Sequence, residues 1–93
     1  MKYYNLEYLP LNNPYMKKII RAVKNALPEM KTGKKYTLRK MVELSDEDAW
    51  CTNSKQLNKR AGKTFKDFVL ENIPNLVCVS EDGEYPLKYI KIR

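Results

Sequence analysis

The amino-acid sequence predicts a small α+β domain, and three observations carry that prediction. Before Pro74, apolar residues recur at helical spacing in stretches opened by Asn, Ser or Thr. After Pro74, the pattern changes to short β-branched runs on either side of Asp82-Gly83, as in a hairpin. The chain has 93 residues, enough for one domain with a small core.

Residues 1–12 read as an aromatic N-terminal arm ahead of a domain spanning residues 13–93. Tyr4, Leu6 and Tyr8 alternate with Asn5 and Glu7, a strand-like pattern that Pro10 ends. Such an arm covers the core of its own domain or adds an edge strand; covering is the simpler role. Asn12, Asn13 and Pro14 then open a helix, because Asn caps well and proline's missing N–H is harmless in a first turn. Met16, Ile19, Ile20, Val23 and Leu27 form its apolar stripe. Lys17, Lys18, Arg21 and Lys24 lie mostly outside the stripe, and Pro28 closes the helix.

Gly33 marks a turn, and Lys35-Tyr36-Thr37 forms a very short strand. Thr37 caps a second helix, Leu38 to Leu44, with Leu38, Met41 and Val42 on one side. Ser45 followed by Asp46-Glu47-Asp48 reads as a fresh helix start, with acids beside the positive end of a helix dipole. The stretch to Cys51 is therefore read as two turns of helix, a break near Ser45 and one more turn. One bent helix is the alternative.

The next stretch, residues 53–72, has two unlike faces. Leu57, Ala61, Phe65 and Phe68 fall in one stripe, with Val69 at its margin. Lys59, Lys63 and Lys66 project the opposite way, flanked by Lys55, Gln56 and Arg60. Asn53 or Ser54 supplies the cap. Gly62 costs this helix about 1 kcal/mol relative to alanine, so it marks a kink or a close backbone approach. Leu76 to Val79 is a strand, residues 80–84 are a turn, and Leu87 to Arg93 is the returning strand. Ile90 and Ile92 occupy one face of that last strand; Leu87, Tyr89, Lys91 and Arg93 occupy the other.

The charge narrows the partners. Eighteen Lys and Arg against eleven Asp and Glu leave +7, a field that attracts phosphate polyanions or an anionic membrane. Solubility and a solvated helix face are the plain alternatives. The absence of histidine, the two isolated cysteines Cys51 and Cys78, and the lack of a phosphate-cradling glycine loop argue against an enzyme, a cofactor or a metal site. The thiols are read as reduced, with a Cys51–Cys78 disulfide as the alternative; reduced thiols and no long apolar run at the start suit a cytoplasmic protein with no membrane segment. Trp50 and most tyrosines read as core or core edge.

The order helix, strand, helix, helix, strand, turn, strand resembles a winged-helix domain, the helix-turn-helix variant with a hairpin wing. A narrower pattern is similar to small bacterial and phage domains: Thr37-Leu38, Met41, Trp50, Arg60, Gly62-Lys63, Phe65 and Val69. The resemblance implies three to four helices with a C-terminal β-hairpin, and a third helix that enters the DNA major groove. By position it makes Lys55, Gln56, Lys59, Arg60, Lys63 and Lys66 the nucleic-acid contacts. Glu81, Asp82 and Glu84 at the wing tip would repel phosphate, so the helix does most of the binding, helped by Lys88, Lys91 and Arg93.

The expected function is a small basic protein that binds double-stranded DNA, a regulator or accessory factor of a kind encoded by phages and mobile elements. The competing expectation is a protein-interaction module, such as a phage-encoded inhibitor of a nucleic-acid enzyme. Its contacts would be Glu81, Asp82 and Glu84 with Tyr4 and Tyr8. Monomer and homodimer are both compatible with the sequence.

Overall fold

A computed structural model describes residues 8–50, 54–80 and 86–93. The strand-like pattern up to Glu7, with Tyr4, lies outside them. So do Cys51, the alternative cap Asn53, and the hairpin tip with Glu81, Asp82, Gly83 and Glu84.

Helix α1 spans Pro14–Ala26 and runs into a 3-10 turn, Leu27–Glu29. Strand β1 is Lys35–Thr37, helix α2 is Leu38–Ser45 and helix α3 is Lys55–Asn72. Strands β2, Leu76–Cys78, and β3, Lys88–Lys91, complete the fold. The strands form one antiparallel sheet in the order β1-β3-β2, so β1 joins the outer side of the C-terminal pair. The described residues thus make an α+β fold of three helices and a three-stranded antiparallel sheet.

Each helix starts where a short polar side chain accepts an otherwise unpaired N–H. Asn13 Oδ1 accepts from Tyr15 N at 2.8 Å and from Met16 N at 3.3 Å. Thr37 Oγ1 accepts from Lys40 N at 3.2 Å, and Ser54 Oγ from Leu57 N at 3.1 Å. At the far end of α1, Lys91 Nζ donates to the Leu27 carbonyl at 2.7 Å, a cation on the negative end of the helix dipole. Gly33 takes φ +82°, which L side chains rarely adopt, and its N–H donates to the Lys91 carbonyl at 2.8 Å.

One expectation fails in this half of the fold. Residues 46–50 make a turn and a bend, not a further helical turn. Asp46 leaves the helical region at φ −154° and ψ 88°, and its carboxylate accepts from Asp48 N at 3.2 Å. That local bond turns the chain out of the helix, as Asp side chains often do. Ser45 caps nothing ahead of it; its hydroxyl donates to the Ala22 carbonyl at 2.5 Å and ties α2 to α1.

The core joins Met16, Ile19 and Val23 of α1, Met41 and Val42 of α2, Phe65 of α3 and Tyr89 of β3, all essentially solvent-free. Trp50 packs on its edge. Alternation in β3 left two faces to choose from. The face carrying Tyr89 turns inward; Ile90 is half-buried and Ile92 stays 46% exposed. Tyr89 meets the Phe65 ring edge-on, with centroids 5.4 Å apart and planes at 78°, which docks α3 on the sheet.

Tyr89 also buries a hydroxyl with no hydrogen-bond partner among the described residues. Burial, then the charges of Cys78 and Asp67, push its phenol well above the usual tyrosine range. An unfolded chain would ionise this tyrosine near pH 10, while the folded chain resists. Stability from the neutral phenol is therefore complete below about pH 10 and falls as pH rises beyond it. Tyr89→Phe should melt at the same temperature or higher at pH 7, by roughly 1 kcal/mol of stability, with a shallower loss in alkali. Thermal melts across that pH range check this, and a clear destabilisation at pH 7 would reveal a missing partner.

Candidate nucleic-acid interface

Helix α3 sets the candidate surface. Its inward stripe is Ala61, Thr64, Phe65 and Val69, fully buried, with Leu57 and Phe68 half-buried beside them. Burying that stripe leaves the opposite face outward. Lys55, Gln56, Lys59 and Lys66 are exposed there, and Lys63 is half-buried. Lys55, Lys59 and Lys66 make no ion pair with any described residue. The carboxylates of α3, Asp67 and Glu71, are exposed on a flank of the helix.

Arg60 differs from its neighbours. Its guanidinium turns to the arm, where Nη2 donates to the Tyr8 carbonyl at 3.1 Å, while Nε is buried without a partner among the described residues. Lys91 is likewise engaged at the end of α1, Lys88 is half-buried, and Arg93 is exposed.

Sequence reasoning missed Thr64. Its hydroxyl accepts from Leu9 N at 2.8 Å and donates to Leu9 O at 2.6 Å, across 55 residues. One side chain thus satisfies both backbone groups of a buried arm residue, and Leu9 joins the core. The available signal was spacing. Leu57, Ala61, Thr64 and Phe68 follow a 4-3-4 rhythm, which puts a polar residue inside an apolar stripe. Thr64→Val keeps the shape and removes both bonds, leaving a buried N–H and C=O unmet. We expect a loss of about 2 kcal/mol and faster hydrogen exchange at Leu9 by more than tenfold. Unchanged exchange at Leu9 would mean the arm is held by something else.

Gly62 does not break the helix, since α3 runs unbroken from Lys55 to Asn72. Among the described residues no backbone approaches it: a Cβ built there meets nothing within 4 Å. Instead Gly62 lies on a groove of about 300 Å³ that Tyr8, Lys59, Lys63, Lys66 and Leu87 also line. Among the described lining residues Asp67 is the carboxylate. A smaller groove of about 170 Å³ sits on the other side of Tyr8, between the arm and Phe68.

Among the described residues no three His, Cys, Asp or Glu side chains cluster as metal ligands, and no helix is long and apolar enough to cross a membrane. Cys78 carries a free, half-buried thiol. Compared with known proteins, the chain matches no family model, no curated protein and no solved structure.

Proposed function

We propose that this protein binds double-stranded DNA through the outward face of α3, in the manner of a winged-helix regulator or accessory factor. The observation that carries the reading is the open cation row. Lys55, Lys59 and Lys66 stand exposed on one helix face, joined by Gln56, and form no ion pair with a described residue. Lysines on such a face gain from each phosphate they neutralise, and Gln can pair with adenine in the major groove. The helix order and the position of β1 beside the C-terminal strand pair are compatible with a winged helix. Arg60 is left out of the contact set, since its guanidinium holds the arm.

The test is duplex binding as a function of salt. Three lysine–phosphate contacts give a log–log slope of about −3 between roughly 50 and 200 mM salt. No retention of any duplex at low salt would end the proposal. A protein-interaction module is the second reading. The contact such a module would use at the end of α3 is Leu70, 84% exposed one helical turn beyond Lys66. Affinity that ignores nuclease and salt but falls on Leu70→Asp would favour that reading.

A further inference from the structure

We propose that the groove between the arm, α3 and β3 takes one unpaired nucleotide, with its base on Tyr8 and its phosphate on Lys59 and Lys66. The inference rests on the reading of α3 as a nucleic-acid helix and names the kind of DNA it prefers: duplex carrying an unpaired nucleotide, such as a single-stranded tail.

Three independent features converge on the groove. The first is its shape and lining. At about 300 Å³ it is at the lower end of clefts that hold small ligands. Tyr8 and Leu87 wall it while Lys59 and Lys66 line it, so it is a recess beside the helix and not part of a convex ridge. The outer surface of a duplex does not enter such a recess; a single nucleotide does. An aromatic ring beside a run of cations is the usual composition of a site for unstacked bases.

The second feature is how Tyr8 is held. Its carbonyl accepts from Arg60, and the next residue is locked by both bonds of Thr64. Its backbone is therefore fixed against α3, while the residue as a whole remains 37% exposed. A ring presented from a fixed backbone loses little entropy when a base stacks on it.

The third feature is Gly62. A glycine inside an 18-residue helix is unfavourable, and nothing in the described chain uses the space it leaves. That space belongs to the groove. Asp67 opposes the proposal locally, because its carboxylate also lines the recess. Its position favours a neutral base edge near Asp67 and the phosphate toward Lys59 and Lys66.

The experiment compares a blunt duplex with the same duplex bearing a short single-stranded tail, by fluorescence anisotropy at low salt. The parent protein should prefer the tailed duplex by roughly tenfold, the scale of one base stacked on an aromatic ring. Tyr8→Phe should keep the preference and Tyr8→Ala should abolish it. Gly62→Gln should abolish it too, yet melt no lower than the parent, because it adds a good helix former and fills the recess without changing charge. Equal binding of both duplexes by the parent overturns this inference and leaves the reading of α3 standing. A preference that survives both Tyr8→Ala and Gly62→Gln also overturns it. Failure to bind either duplex removes the α3 reading, and this inference with it.

Discussion

Replacing Lys59 and Lys66 together with glutamate should cut duplex affinity by roughly a hundredfold or more at low salt. Each change removes a cation from the outward face of α3 and puts an anion in its place. The net charge of +7 falls by two units per change, so the general attraction to phosphate weakens as well. Both side chains are exposed on a helix whose opposite side is fixed in the core, so the fold should not notice the exchange. A glutamine pair at the same positions separates the two contributions: it removes the contacts without adding repulsion. Its expected loss is smaller, with a salt slope shallower by about two. A glutamate pair that binds duplex as well as the parent would mean that α3 is a solvated face. Circular dichroism on the same variants checks that they are folded.

Phe65→Ala should bring the domain close to unfolding. Phe65 has no solvent exposure and its ring meets Tyr89, so it is the point where α3 is fastened to the sheet. Truncating a buried phenylalanine typically costs 3–5 kcal/mol, out of a total of about 5–15 kcal/mol for a whole domain. For a domain of this size that corresponds to a fall in melting temperature of roughly 15 °C or more. The loss also reaches function, because the lysine face is displayed only while the opposite stripe is buried. DNA affinity should therefore fall with the folded fraction and recover on cooling. A loss under about 1 kcal/mol would mean that the helix is held elsewhere.

Much of this architecture is legible from neighbouring residues. Asn13, Thr37 and Ser54 cap the helices whose starts they mark, because capping involves only the next two or three N–H groups. The stripe of Ala61, Phe65, Phe68 and Val69 points inward, as its period requires. The same local logic misled at Ser45-Asp46, where an acidic cap pattern fits both a helix start and a turn. There the carboxylate of Asp46 bonds two residues ahead, and the hydroxyl of Ser45 reaches a carbonyl on α1.

By itself the sequence determined where α1, α2 and α3 begin, where the two C-terminal strands lie, and that one side of the 53–72 stretch is cationic, but not the turn at residues 46–50. Those properties depend on spacing and on bonds a few residues long. Only the tertiary structure decided that Tyr89, and not Ile90 or Ile92, faces the core. Only it turned Arg60 away from its lysine neighbours, and gave Thr64 a partner 55 residues distant. The two faces of a strand look alike until something packs on one of them. A side chain's partner across the fold exists only once the intervening chain has closed around it.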